Sequence, residues 1–495
     1  MQLLKKYKNK DLTLIGIFCL VFILLGFQAV EYGLDLFAYI PLLVLGLILI
    51  FAKFYYSVFI IGFLTPLSIF FRNETISVTV PTEPMLVLVM LVFLWECFFN
   101  KKFYLKHLEH PISFWIIMSI VWIAFTTIFS WDVIVSLKHL IARLFFVIPC
   151  YFLMIIVFKD YKKMLWFVLA YGFTLSIVIL ISSIKYAATG FDHDFADYIM
   201  QPFYCDHTAY GAAIGLFTPI SLYYLFAKKS LYNQKWIRGL FIWICIWLLI
   251  GLVLCYARAT WLSVFAALGV FTIVKLKISP KLIGWSTFLF AVVIAFSWNG
   301  IVQKLERNDQ DSSGNISEHI QSMSNISTDA SNTERLNRWS CAWRMTKDRP
   351  IVGWGFGTFQ FVYGSYQKSS ERTVISTNEG TLGNAHSEYI GPLCETGFIG
   401  CLIIILIFAT SVYYGLRVYH RAKNKDVANL SLFITLSLIT YYIHGVMNNF
   451  LDTDKLAIPF WVLTSMIVAL DLYQEKNEKQ IENKDNSQNN HIDIK

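Results

Sequence analysis

The chain has 495 residues, 56% of them hydrophobic and only 15% charged, and it carries a formal net charge of +8. A soluble domain has about 25% charged residues, so this composition excludes an ordinary soluble enzyme, a disordered protein and a nucleic-acid-binding module. The positive balance then bears on which side of a bilayer holds the basic residues, not on a nucleic-acid partner.

Apolar runs occur near residues 12–30, 34–52, 54–71, 85–99, 112–130, 139–158, 163–187, 207–227, 237–256, 260–275, 282–298, 388–414, 428–446 and 456–473. A bilayer core is crossed by about 20 residues of helix, so each run is a candidate span. The closely spaced early runs put the total at 12–14. The first run is long, lacks a small-residue cleavage site and is followed by further spans, unlike a cleaved signal peptide. With the N-terminus inside, 26 of the 41 Lys and Arg fall on the inner side, 6 in short outer segments and 9 in one long outer segment. That bias predicts both termini in the cytoplasm. It places residues 299–387 on the far side, in the periplasm or cell exterior. The chain is thus expected to be an all-α polytopic membrane protein. Its parts are N-terminal transmembrane helices over 1–298, a large outer loop over 299–387, C-terminal transmembrane helices over 388–473 and a polar, disordered cytoplasmic tail over 474–495.

Charges at membrane depth are costly and each invites a functional reading. Arg258, in CYARATWLS, lies in a connection too short to be a hydrated loop. A guanidinium there suits a phosphate, gripped by two parallel hydrogen bonds; snorkelling to lipid headgroups is the other reading. Arg143, in LKHLIARLFF, is a second such residue, for which snorkelling is the simpler reading. Within the long loop, residues 308–334 have few large apolar side chains and read as a flexible linker. Order is expected from Thr333, a suitable N-cap. Leu336, Trp339 and Trp343 then fall at helical spacing, and Pro350 ends the segment. This is an amphipathic helix from which Arg335, Arg338 and Arg344 project, towards an anionic ligand or an anionic membrane surface.

The next segment, IVGWGFGTFQFVYG, alternates glycines with aromatics that suit sugar stacking or core packing. It has neither the setting of a Rossmann loop nor that of a Walker loop. In NEGTLGNAHSEYIGPLCETGFIG, Asn384 is a candidate helix cap that would put His386 in the first turn. There the helix dipole disfavours imidazolium, leaving a neutral ring able to accept a proton; a structural histidine is the alternative. Glu388 and Glu395, seven apart, share a helix face. The nine cysteines form no CxxC pair and lie mostly in apolar runs, so neither a metal site nor a disulfide framework is expected. Cys205 and Cys341 both fall in predicted outer loops and could pair.

In this order the pieces resemble the O-antigen ligase/polymerase superfamily of bacterial integral membrane glycosyltransferases. The matching elements are ARATWLS with Arg258, a large outer loop, Arg335-x-x-x-Trp339, Pro350 followed by GWGFGTF, AHSEY with His386, and Glu395-Thr-Gly397-Phe-Ile-Gly400. They cover roughly residues 255–405. One departure is His386-Ser387, where many relatives have His-Asn. The resemblance implies a GT-C-like, metal-independent enzyme of the bacterial inner membrane that needs no cofactor. Such an enzyme takes a glycan from undecaprenyl pyrophosphate and passes it to an acceptor hydroxyl, the lipid A–core or another periplasmic glycan. By the same resemblance Arg258 and Arg335 would hold the pyrophosphate and His386 would act on the acceptor, with Arg338, Glu388, Glu395 and Arg143 as secondary candidates. A polymerase joining lipid-linked repeat units is the alternative, and Arg344 and Gly355 match an Arg-x10-Gly spacing ascribed to polymerases. A lipid-linked-sugar transporter is a third reading, but it would favour charges spread through many spans and related halves.

Overall fold

The computed structural model describes residues 56–72, 77–100, 105–192, 195–196, 198–227, 234–279, 281, 285, 330–371 and 383–492. The expected spans near 12–30 and 34–52, that near 282–298 apart from Trp285, and most of the 308–334 linker lie outside these residues. Among the described residues ten helices are long and apolar enough to cross a membrane, and the molecule is an all-α polytopic membrane protein.

A short apolar helix, α1 (Tyr56–Leu67), comes first. It leads into a two-stranded antiparallel hairpin, β1 (Ile69–Arg72) and β2 (Ser77–Val80). Seven spans follow: α2 (Thr82–Asn100), α3 (Pro111–Ile128), α4 (Val133–Val157), α5 (Met164–Ala188), α6 (His207–Phe226), α7 (Lys235–Leu254) and α8 (Arg258–Lys275). Two extramembrane helices, α9 (Ala330–Asp348) and α10 (Ile390–Glu395), precede the last three spans: α11 (Gly397–Arg421), α12 (Lys425–His444) and α13 (Asp454–Ile492). The most buried spans are α6, α12 and the apolar part of α13. Helix α6 packs against α7, α8 and α12, and α12 packs against α8, α11 and α13.

Two local features hold this centre together. Pro219 interrupts α6, and the following Ile220 N–H donates to Ser437 Oγ of α12 at 3.1 Å. A proline is tolerated in a span where neighbouring helices satisfy the freed backbone. At Gly211 a Cβ would fall 2.5 Å from Thr260 Oγ1 and 2.9 Å from Ala257 Cβ. Only glycine lets α6 and the start of α8 approach so closely, and that contact fixes where Arg258 emerges.

Three expectations are corrected. The apolar run 54–71 does not continue as one span: α1 stops at Leu67. Pro66 cannot donate to a helical ladder. The buried Lys455 Nζ takes up terminal carbonyls, donating to Thr65 O and Ser68 O at 2.6 Å each. Its neighbour Asp454 accepts from Ser68 Oγ and Thr82 Oγ1, also at 2.6 Å. The tail predicted to be disordered is helical as far as Ile492. Its Glu, Lys and Gln residues are good helix formers extending a helix already nucleated in the span. The loop helix begins at Ala330, not Thr333, so the end of the 308–334 linker is helical.

Candidate active site

The described part of the long loop folds as a small unit on α9. Cys341, Ala342 and Met345 face inward against Phe359, Val362, Tyr363, Ala385 and Cys394. Cys341 therefore lies in a packed interior, and it and Cys205 are free thiols. The glycine-aromatic segment wraps onto α10. Trp354 N–H donates to Cys394 O at 3.0 Å and Gly355 N–H to Glu395 O at 2.8 Å. Gly355 has φ +111, and a Cβ there would sit 1.9 Å from Ser130 Oγ, so this close turn requires glycine. Phe356, Phe359 and Tyr363 are buried: of the two readings of these aromatics, core packing is the one realised. Arg344 grips Glu371, Nη2 to Oε2 at 2.6 Å and Nη1 to Oε1 at 3.0 Å, and braces the loop.

Arg338, one turn after Glu334 on α9, pairs with it at 3.0 Å, and both are nearly buried, with exposures of 6% and 4%. The guanidinium reaches across to the segment before α10. Its Nη1 donates to Asn384 O at 3.0 Å and lies 3.4 Å from His386 Nε2. Trp339 Nε1 donates to Ala385 O at 3.0 Å. His386 is not in a helical first turn, as the sequence suggested. It has φ +47, a left-handed conformation that is uncommon for a residue with a side chain and that clusters at functional sites. Two side chains shape this turn. Asn384 Oδ1 accepts from His386 N–H at 3.0 Å, and Ser387 Oγ accepts from the N–H groups of Tyr389 and Ile390 at 3.3 Å. The ring is pushed down to about 3, first by burial and then by the charges of Arg338 and Arg335. The sequence argument reached a neutral imidazole through a helix dipole; desolvation and two guanidiniums are the actual cause.

Arg335, also on α9, lies in the same electrostatic neighbourhood. Burial first, and then Arg258, push its guanidinium down to about 10, with Asp206 acting in the opposite direction. Arg258 is the first residue of α8, after a three-residue turn in which Tyr256 has φ +48. The structure therefore brings together Arg258, Arg335, Arg338 and His386 from three separate parts of the chain. Facing these three cations, Glu334 is already tied to Arg338. Asp206 caps α6 by accepting from Ala209 N–H at 2.7 Å and Thr208 Oγ1 at 2.6 Å. Guanidiniums crowded in a partly dehydrated space repel one another, and an anionic ligand there would relieve that repulsion.

The other three sequence candidates are engaged elsewhere. Glu388 Oε1 accepts from Tyr441 OH at 2.6 Å, Phe450 N–H at 2.9 Å and Leu451 N–H at 3.0 Å, which ties the His386 turn to the α12–α13 connection. Burial raises its pKa. Glu395 accepts from Phe359 N–H at 3.0 Å, and burial pushes it up to about 8. Arg143 pairs with Asp452 at 3.3 Å and lies 5.4 Å from the centre of the Phe356 ring. It lines a small pocket with Glu388, Trp122, Phe356 and Trp461, and none of Arg258, Arg335, Arg338 and His386 contributes to that wall.

Sequence reasoning missed His444, at the end of α12, and Asn448 beyond it. His444 lies within electrostatic reach of Arg335 and His207. The signal was present: a histidine at the end of an apolar run is a costly residue in a membrane.

No curated protein matches the chain. Residues 243–405, about a third of the sequence, match the model of a family described as O-antigen ligase. The match spans Arg258, Arg335, Arg338 and His386 and excludes Arg143. Residues 243–405 thus match an O-antigen ligase domain, and this supports the O-antigen ligase superfamily for that part of the chain.

Proposed function

We propose that the protein transfers a glycan from undecaprenyl pyrophosphate to an acceptor hydroxyl, that of the lipid A–core, at the periplasmic face of the bacterial inner membrane. The observation that carries this reading is the convergence of Arg258, Arg335 and Arg338 on the neighbourhood of His386. The bias of basic residues in the short connections supports the orientation, with both termini cytoplasmic and residues 299–387 periplasmic.

In this mechanism Arg258 and Arg335 hold the pyrophosphate. As the bond between the sugar's anomeric carbon and the phosphate oxygen breaks, the leaving pyrophosphate keeps the electron pair, and preorganised guanidiniums stabilise the growing charge. The acceptor oxygen forms the new bond to that carbon from the opposite face, inverting it, and its proton passes to His386 Nε2. Nε2 faces Arg338 in the resting site, so proton acceptance requires Arg338 to turn towards the phosphate. The arriving negative charge offsets the guanidiniums that weaken the ring as a base. A positioned base of this kind typically contributes about 10²–10⁴-fold.

The test is to delete the gene and analyse the surface glycolipid together with the lipid-linked pool. Unmodified core with long glycan stranded on undecaprenyl pyrophosphate is expected. Core bearing one repeat unit, with no long chains anywhere, would overturn transfer to core in favour of repeat-unit polymerisation. Repeat units trapped on the cytoplasmic face would overturn the enzyme reading altogether.

A further inference from the structure

His444 has a defined tautomer. Asn448 Nδ2, an amide that can only donate, lies 3.2 Å from His444 Nε2. That nitrogen must present a lone pair, so the neutral ring carries its proton on Nδ1. The side chain is buried, and Nδ1 has no hydrogen-bond partner among the described residues. A buried donor left unpaired costs about 1–3 kcal/mol, and such a group calls for an explanation.

Its position supplies one. Gly445, the next residue, accepts from Glu388 N–H at 2.8 Å, which fastens the end of α12 to the turn bearing His386. Arg335 is felt electrostatically at both His386 and His444. His444 thus lies beside the His386 turn and within electrostatic reach of Arg335, where the oxygens of a bound anion would need donors.

We propose that His444 is a further binding residue of this site, donating its Nδ1–H to a phosphate oxygen of the lipid pyrophosphate. This rests on the pyrophosphate reading of the arginine cluster. Asn448 is its positioning residue, acting through Nε2. Nδ1 is shielded from solvent, so the phosphate reaches it by a shift of the side chains around it.

Two substitutions separate the ring's two nitrogens. In His444→Asn the amide N–H₂ stands near the Nδ1 position and keeps a donor there. In His444→Gln the amide reaches the Nε2 position and the Nδ1 donor is lost. The full chain in detergent would be titrated calorimetrically with farnesyl pyrophosphate, and the melting temperature of each variant recorded. His444→Gln is expected to bind roughly tenfold more weakly, the loss of one hydrogen bond to a charged group, with His444→Asn within about threefold of the parent. Unchanged binding by His444→Gln, or equal weakening in both variants, would overturn the inference. No binding by the parent protein would overturn the pyrophosphate reading itself, and this inference with it. If the variants do not fold, the parent still decides the matter. Ile443–His444 is the only Ile–His pair in the sequence, so paired isotopic labelling assigns its resonances. Its Nδ1–H signal should move downfield on adding farnesyl pyrophosphate, and an unmoved signal would overturn the proposal.

Discussion

The resting state of His386 yields the most quantitative prediction. Its ring is pushed down from an ordinary 6.5 to about 3, by burial first and Arg338 second. Arg338 Nη1 is 3.4 Å from Nε2. Two unit charges at that separation repel by about 5 kcal/mol at an effective dielectric near 20. That is an upper bound, because the guanidinium charge is delocalised and paired with Glu334. Burial outranks Arg338, so Arg338 accounts for less than half of the displacement. Removing it should raise the ring's proton affinity by about tenfold, or about 1.4 kcal/mol. Arg338→Met alone would strand the buried Glu334 carboxylate at a cost of about 3–5 kcal/mol. The charge-balanced double variant Glu334→Gln/Arg338→Met is therefore the perturbation to use. The pH profile of kcat/KM reports the free enzyme. The parent should show no acid limb from His386 near its ordinary 6.5, and in the double variant the limb should move up by about one pH unit. The sign for stability follows from the same shift. The fold favours the neutral ring, so its contribution is full above about 6.5 and is lost as the pH falls towards 3. A parent limb near 6.5 that disappears in His386→Asn, or a limb unmoved in the double variant, would refute the reasoning.

Further outcomes are expected. Arg258→Ala and Arg335→Ala should each reduce glycan transfer by more than about tenfold while the protein stays inserted; near-normal turnover in a purified transfer assay would remove that arginine from the site. Gly355→Ala should lower stability by about 1–3 kcal/mol and impair transfer, through a disallowed φ and a clash with Ser130; an unchanged melting temperature would contradict the loop geometry. Burial pushes Glu395 up to about 8, so its contribution to stability is full below its ordinary 4.5 and is lost as the pH rises through 8. Glu395→Gln should therefore melt with a weaker fall than the parent between about pH 5 and 8.5, and parallel slopes would refute this.

Why some of this was legible in the sequence follows from particular elements. The ten described spans stand out because a helix in lipid satisfies its own backbone, so apolar length alone signals it. Arg258, Arg335 and His386 stood out as ionisable residues near span ends or in ordered motifs. The stop of α1 was not legible, because it depends on Lys455 and Asp454, hundreds of residues away. The left-handed turn at His386 was hidden because Asn384 and Ser387 act there as turn bonds and not as a simple helix cap. Glu388 and Glu395 looked like site residues, yet their oxygens are taken by backbone N–H groups of packed loops. His444 was passed over because its role depends on Asn448 and on Arg335 of the loop.

The sequence by itself determined the class of molecule, most of its spans and the polar residue types available to a site. These depend on local hydrophobicity and on hydrogen bonds within one segment. Only the tertiary structure decided which of those residues meet. Arg258 on a span, Arg335 and Arg338 on the loop helix and His386 before α10 converge through the packing of α6 on α8 and of α9 on α10. Such contacts between distant parts of the chain leave no periodic trace in the sequence, because packed side chains from many elements set them together.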